Sequence, residues 1–80
     1  MEEIIRLSEL LAGCSATVEE VNCAEYLRNR VLDMGIIKGA ELSTVLRAPF
    51  GDPVAYAVKN TLIALRRRDS REILVRWRHE

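Results

Sequence analysis

The apolar residues of this chain recur with two different periods, and the change of period separates the predicted elements. The segment 16–21 mixes β-branched residues with glutamates and predicts a short strand. The next apolar positions are spaced by three or four residues, which indicates one face of a helix of about three turns. They are Ala24, Leu27, Val31 and Met34.

Polar residues and glycines mark where the predicted helix begins and ends. Asn22 and Glu25, three residues apart, have the spacing of a capping box at a helix start. Gly35 is expected to end the helix, because a side chain in the left-handed conformation of that position costs about 1–2 kcal/mol. Ile36-Ile37 continue the apolar surface, and Lys38-Gly39 are typical of a turn.

Beyond residue 40 the apolar period is two, which predicts strands separated by turns. Lys59-Asn60 form a two-residue hairpin, in which Asn60 is expected to accommodate a positive φ. Asp69-Ser70 follow a run of arginines and are expected to cap a single helical turn. The predicted strands are 41–47, 54–58, 61–65 and 73–77. This count favours a mainly β fold with one inserted α-helix, folded as a small, partly open SH3-like barrel of five to six short strands.

Length and composition limit the classes of protein. Eighty residues with 49% hydrophobic content predict a single globular domain spanning 1–80. No window approaches the roughly 20 apolar residues of a membrane span, and the first residues lack the features of a secretory signal. Two cysteines are too few for a disulfide-stapled domain, so a reducing compartment is expected. Direct insertion into a membrane is not expected.

Catalytic and metal-binding residues are scarce. The one histidine, His79, lies next to the C-terminus, and no phosphate-binding glycine loop is present. Glu2-Glu3 and Glu19-Glu20 are adjacent pairs whose side chains would point to opposite faces of a strand. Cys14 and Cys23 have no paired-cysteine spacing, so packing as small apolar residues is favoured over zinc ligation. We therefore expect no enzyme activity, no cofactor and no metal site.

The arginines raise an alternative function. Twelve basic and twelve acidic residues cancel overall, but residues 41–80 carry eight bases against five acids. Arg66-Arg67-Arg68, Arg71 and the segment Arg76-Trp77-Arg78 lie in the last third of the chain. An aromatic among arginines on a barrel is one form of nucleic-acid or general interaction surface, whereas a solvated rim is the simpler interpretation. Nucleic acid is accordingly the less favoured partner.

The segment Ala48-Pro49-Phe50-Gly51-Asp52-Pro53 is incompatible with regular structure, because two prolines and a glycine restrict it to a shaped loop. Phe50, the only phenylalanine, lies at its centre. One interpretation makes Phe50 an interface anchor on a stiff tip, which lowers the entropy cost of association. The other makes it a plug that folds back over the barrel. The sequence leaves both open.

Five segments in order resemble the FeoA family, small cytoplasmic SH3-like proteins of bacterial ferrous iron uptake. Near the start, the match is Leu7-Ser8-Glu9-Leu10 with a glycine following. Leu32 to Ile36 with Lys38-Gly39 is similar to the family's LxxMGI-x-x-G segment, and Ala48 to Pro53 to its APLGDP loop, with Phe50 in place of leucine. Leu62 to Arg66 and Ile73 to Val75 are similar to its last two strands.

The resemblance implies an accessory protein of the membrane transporter FeoB, whose cytoplasmic portion contains a GTP-hydrolysing domain. We expect the loop and the helix end to form one apolar patch that docks on the transporter. Self-association through the same loop stays open. The expected partner-binding residues are Met34, Gly35, Ile36, Gly39, Pro49, Phe50, Gly51, Asp52 and Pro53.

Overall fold

The chain folds as six antiparallel strands in one curved sheet, seen in a computed structural model that describes residues 1–78 except the side chain of Tyr26. The strands follow the spatial order β1-β6-β2-β3-β4-β5, so β1 and β5 form the two edges. They are β1 (Glu2–Arg6), β2 (Ser15–Val21), β3 (Glu41–Arg47), β4 (Val54–Val58), β5 (Thr61–Leu65) and β6 (Ile73–Arg78). The mainly β fold with an inserted helix is confirmed.

Helical segments connect these strands at three places. A 3-10 helix (Leu7–Glu9) follows β1, α1 (Glu25–Asp33) joins β2 to β3, and the short α2 (Arg67–Ser70) joins β5 to β6. Leu27 and Val31 of α1 are buried, Met34 is half-buried, and Ala24 is exposed. The apolar face of α1 is therefore narrower than the sequence indicates.

The strand β1 has no counterpart among the sequence-based elements. It pairs only with β6 among the described strands, and of its five residues only Ile5 is partly buried. A strand exposed on both faces has no alternation of apolar and polar residues to reveal it. Its register follows from its neighbour instead, with Ile4 opposite Arg76.

The expected capping box at Asn22 is wrong. The residue before α1 is Ala24, whose side chain makes no cap hydrogen bond. Asn22 lies instead beside the β6 end of the sheet, where its backbone N–H donates to the Glu72 carbonyl at 2.8 Å. Asn22 therefore continues the pairing of β2 with β6 by one backbone hydrogen bond and does not cap α1.

The end of α1 agrees with the sequence. Gly35 has φ +97°, and a Cβ on it would lie 3.5 Å from Val58 Cγ1. The Ile36 N–H donates to the Val31 carbonyl at 2.9 Å, which closes the last turn of the helix. Ile36 then enters the core, whereas Ile37 is exposed, so the apolar surface continues through only one of the two.

The alternation in β3 breaks at a β-bulge. Leu42 and Thr44 face the core, but the register with β4 shifts between Thr44 and Leu46. The inserted residue rotates the end of the strand, so Leu46, expected on the same face, is 65% exposed. The bulge thereby moves apolar side chains to the outside.

Two details of the last turns also differ from expectation. In the β4–β5 hairpin the positive φ, 56°, belongs to Lys59 and not to Asn60. Asp69 and Ser70 lie inside α2 rather than capping it, and the arginine run begins that helical turn instead of lying on a strand. Ser70 is fully buried, so α2 is fixed against the barrel.

The core fills the space between the curved sheet and α1. Its centre is Tyr56 of β4, whose side chain is fully buried and whose Oη has no hydrogen-bond partner among the described residues. The other large side chains that are fully buried and apolar are Leu7, Leu10, Ile36, Leu42, Ile73, Val18, Val31, Val54, Val58 and Val75. A well-packed interior of this kind holds both ends of the β3–β4 hairpin in place.

Candidate interaction surfaces

The loop between β3 and β4 is held in shape by its own backbone. The Gly51 N–H donates to the Ala48 carbonyl at 2.7 Å, and the Ala48 N–H donates to the Pro53 carbonyl at 3.1 Å. Gly51 has φ +83°, a conformation in which a side chain would be strained. Phe50 is 98% exposed at the tip. The interpretation of Phe50 as a core plug is therefore wrong.

Asp52 ties this loop to a second element. Its Oδ1 accepts the backbone N–H of Arg67 at 2.8 Å, at the first residue of α2. The first N–H groups of a helix have no partner within the helix, so a carboxylate there satisfies one of them. α2 is itself fixed by buried Ser70. The loop thus projects Phe50 from a base fastened at several points.

Further exposed apolar side chains lie at the same end of the barrel. The turn 11–14 is hydrogen-bonded to β3 beside the bulge, with the Gly13 N–H donating to the Thr44 carbonyl at 2.7 Å. Exposed Leu11 of this turn and exposed Val45 and Leu46 of the bulge accompany the loop. We call these three residues and the loop 49–53 the loop end. Of the three, Leu46 is expected from the sequence to face the core, because the alternation of β3 conceals the bulge, and Leu11 and Val45 are not among the expected binding residues.

Arg47 of β3 hydrogen-bonds the chain just before the turn 11–14. Its Nη2 donates to the carbonyls of Leu10 and Ser8 at 3.3 and 3.4 Å. The Thr44 hydroxyl also donates to the Leu10 carbonyl, at 3.1 Å. Side chains of β3 therefore hydrogen-bond both the 3-10 helix, at Ser8, and the residue after it, Leu10.

The expected binding residues at the end of α1 lie away from the loop. They are Met34, Gly35, Ile36 and Gly39. Gly35 adjoins Val58, which is opposite Leu42, whereas the loop leaves from Arg47 and returns at Val54. The two groups are thus at opposite ends of the β3–β4 hairpin, separated by the length of β4, roughly 13 Å at strand spacing. The single patch expected from the sequence is two separate surfaces.

Within the helix-end group the residues differ in access. Ile36 is fully buried and supports the surface from below. Gly39 is exposed, and its N–H donates to the Val18 carbonyl at 2.8 Å. Half-buried Met34 lines an open groove of about 500 Å³ between α1 and β5, together with Leu27 and Leu62. We call this second surface the α1–β5 groove.

The cysteines and acidic residues do not assemble into a reactive centre. Cys23 is buried in the core, and half-buried Cys14 packs against the outside of that core. Both are free thiols. Burial raises the pKa of the Cys23 thiol, and the Asp69 carboxylate raises it further, so the thiol stays protonated at neutral pH. Within residues 1–78 no three side chains of histidine, cysteine, aspartate or glutamate are grouped to hold a metal ion. His79 lies outside the described residues.

The C-terminal arginines do not form one surface. Arg76 pairs with Glu19 at 2.7 Å and Arg78 with Glu2 at 3.1 Å, so carboxylates accompany both. Trp77 between them is half-buried and packs against the core. The run 66–68 belongs to a different region, at the start of α2. No helix in the described part of the chain is long and apolar enough to cross a membrane.

Comparison with known proteins decides the family. The FeoA domain matches residues 5–76, nearly the whole chain. This chain belongs to the FeoA family. The segments that indicated it in the sequence are the helix end, the loop and the last strands, and each lies within the matched range.

Relatives with known names agree with the family. An Fe(2+) transport protein A/Fe(2+) transporter FeoB fusion protein of Porphyromonas gingivalis is 38% identical over 71 residues, which are 89% of this chain and 8% of that protein. The chain therefore spans less than a tenth of this relative's length.

Solved structures confirm the fold. FeoA of Chlorobium tepidum superposes with a TM-score of 0.88 at 36% identity, covering 91% of this chain and 70% of that one. FeoA of Stenotrophomonas maltophilia, a prokaryotic SH3 domain protein solved with zinc, gives a TM-score of 0.78 at 31% identity, covering 90% and 94%. The SH3-like barrel expected from the strand pattern is confirmed, and the family's role is in ferrous iron transport.

Proposed function

We propose that this chain is a cytoplasmic accessory protein of ferrous iron uptake that docks on a FeoB-type GTPase transporter and has no enzyme activity of its own. The observation that supports this most is the fusion protein of P. gingivalis, whose name joins a transport protein A to a FeoB transporter in one chain. Covalent joining raises the effective concentration of two parts that work together. A separate FeoA chain would reach the same place by a specific interface.

The loop end is the surface that we assign to this docking. Phe50 presents a whole aromatic side chain to solvent on a loop that is already ordered, so little entropy is lost when a partner covers it. Exposed Leu11, Val45 and Leu46 add apolar area at the same end of the barrel. Aromatic anchors with an apolar surround are typical of the residues that carry most binding energy.

The size of the molecule favours few such surfaces. A standard interface covers about 800 Å² per partner. The whole chain has 5349 Å² of accessible surface, so one interface of that size is a large share of it. In this proposal the loop end carries the contact with the transporter. Met34 lines the α1–β5 groove, whereas Gly35 and Gly39 lie outside its lining and Ile36 is buried beneath the helix end.

The test is binding to the purified cytoplasmic portion of the cognate FeoB-type transporter, measured by calorimetry. Phe50→Asp should weaken binding by at least about tenfold, because a charge replaces the aromatic side chain that the partner would cover. Ile4→Asp is the matched control, since Ile4 is an exposed apolar residue on the far edge strand β1. Equal affinity of Phe50→Asp and wild type would overturn the assignment of the loop end.

Binding of nucleic acid is the competing outcome. If the arginines formed the working surface, a random oligonucleotide would bind with a strong dependence on salt, because counterions are released from phosphates. Our proposal expects no such binding at near-physiological ionic strength. Saturable binding there, lost on substitution of Arg66, Arg67 and Arg68, would favour the nucleic-acid function instead.

A further inference from the structure

The edge strand β5 offers backbone groups that its own sheet leaves unused. Among the described strands it pairs only with β4, through a two-residue turn that puts Thr61 opposite Val58. In such a hairpin the pair next to the turn is hydrogen-bonded, and the bonding alternates from there. The N–H and C=O groups of Leu62 and Ala64 therefore point away from β4. Neither residue has another hydrogen bond in the part of the chain that the structure describes.

The α1–β5 groove lies along this edge. Its apolar lining comes from Leu27 on α1, from Met34 directly after this helix and from Leu62, which is 68% exposed. A strand added to a sheet lies about 4.8 Å from its neighbour and presents alternate side chains to each face. An extended segment would thus find backbone partners along one wall of the groove and apolar contacts along the other.

Positive charge lines the same groove. Arg30 from α1, Arg66 at the end of β5 and Arg68 of α2 contribute to its walls, against the single carboxylate of Asp69. The ion pairs seen within residues 1–78 involve Arg71, Arg76 and Arg78, so none of these three arginines forms an ion pair there. The opposite edge, β1, is different, because it carries Glu2 and Glu3 and pairs Glu2 with Arg78.

We propose that the α1–β5 groove binds an extended, acidic segment of a partner protein by strand addition to β5. Main-chain bonds to Leu62 and Ala64 supply affinity, and the three arginines select carboxylates that flank an apolar centre. A second copy of this chain would bring the same three arginines to the contact, which disfavours self-pairing at this edge. The inference rests on the proposed function for the identity of the partner, the transporter, and on the groove alone for the chemistry of binding.

The probe is a short synthetic peptide with blocked termini, valine alternating with threonine at its centre and a pair of aspartates at each end. Amide hydrogen exchange measured by NMR should slow at Leu62 and Ala64 when the peptide binds, because their N–H groups become donors. The matched peptide with lysines in place of aspartates should bind at least about tenfold more weakly. Equal binding of the two peptides, or unchanged exchange at both amides, would overturn the proposal.

Two pairs of variants test separately what the groove arginines and the β5 backbone contribute to peptide binding. The double variant Arg66→Glu/Arg68→Glu should bind the acidic peptide at least about tenfold more weakly than wild type. Arg28→Glu/Lys38→Glu changes the net charge equally on surface outside this groove and should bind as wild type. Ala64→Pro removes one outward N–H, a change that an edge strand tolerates, whereas Ala64→Val keeps it. We expect no peptide binding by the proline variant and normal peptide binding by the valine variant.

The arms of the experiment distinguish this proposal from the proposed function. If the peptide binds in the groove but the cytoplasmic portion of the transporter does not bind the chain at all, the groove stands and the transporter role fails. If the transporter binds with normal affinity to Arg66→Glu/Arg68→Glu and the peptide does not bind the wild type, the groove proposal fails and the loop end stands. Phe50→Asp should leave the affinity for the peptide unchanged. Dimers held through β5 would also contradict the proposal.

Discussion

The two ends of the β3–β4 hairpin present different chemistry to solvent. The loop end exposes apolar side chains, with Phe50 on a loop whose backbone is hydrogen-bonded to itself and whose Asp52 caps α2. The α1–β5 groove instead exposes unpaired backbone groups between arginines. A stiff apolar tip suits a preformed pocket on a folded partner, whereas an open strand edge suits a segment without its own structure. One small barrel can thus carry two kinds of contact without their overlapping.

The largest expected effect comes from Ile36, which the sequence places among the binding residues and the structure places in the core. Ile36→Ala should lower the free energy of unfolding by about 2–5 kcal/mol, because it leaves a cavity in the core. Urea unfolding followed by circular dichroism measures this. A stable Ile36→Ala variant that loses only one partner would instead make Ile36 a contact residue.

Gly35 tests how far the groove depends on the shape of the helix end. Gly35→Ala should cost about 1–2 kcal/mol, since an L residue is strained at φ +97°. The Val58 methyl at 3.5 Å is in ordinary contact distance, so the cost is conformational rather than steric. The acidic peptide should bind more weakly to this variant, because the end of α1 forms one wall of the groove. Unfolding unchanged from wild type would refute the left-handed end as a constraint.

Asp52 tests whether the loop end needs its base. Asp52→Ala removes the acceptor for the Arg67 N–H and should cost about 0.5–2 kcal/mol, the range for lost helix caps. Asp52→Asn keeps an oxygen acceptor and should restore most of the stability. We expect the alanine variant to weaken binding to the transporter, because a loosened loop must be ordered on contact. Full affinity in Asp52→Ala would separate stability from docking.

Tyr56, midway between the two surfaces, should show the smallest effect. Its Oη is buried without a hydrogen-bond partner in the described residues, so Tyr56→Phe should keep the free energy of unfolding within about 1 kcal/mol of wild type. Burial also raises the pKa of Tyr56 above its ordinary value near 10. The unfolded chain then releases the phenolic proton first, so stability should fall as the pH rises above about 10. Thermal melts should show this fall in wild type and less of it in Tyr56→Phe.

Much of the fold was predictable because local patterns specify it. Gly35 needs a positive φ wherever a helix ends on it, and the prolines flanking Phe50 exclude regular structure in any context. The strands β4 and β5 alternate or run apolar over their full length and are joined by a two-residue turn. These features depend on neighbours in the chain, which a sequence displays directly.

The rest depends on tertiary structure. The exposure of Leu46 comes from a bulge, which inserts one residue into a pattern that looks regular in the sequence. β1 is recognisable only through its pairing with β6. The separation of the loop from Gly35 follows from the hairpin register, which places Val54 and Val58 at opposite ends of one strand. Two motifs that mark the same family need not lie together in the folded chain. The helix end and the loop therefore form two surfaces and not the one patch expected from the sequence.

The central claim is that the loop end and the α1–β5 groove are separate binding surfaces and that the loop end docks on the transporter. NMR amide shifts recorded as the cytoplasmic portion of the FeoB-type transporter is added test it most directly. We predict shifts at 45–53 and 11–14 that disappear in Phe50→Asp while the spectrum stays that of a folded protein. Shifts confined to Arg76–Arg78 and their neighbours, or an undiminished response of Phe50→Asp, would contradict the claim.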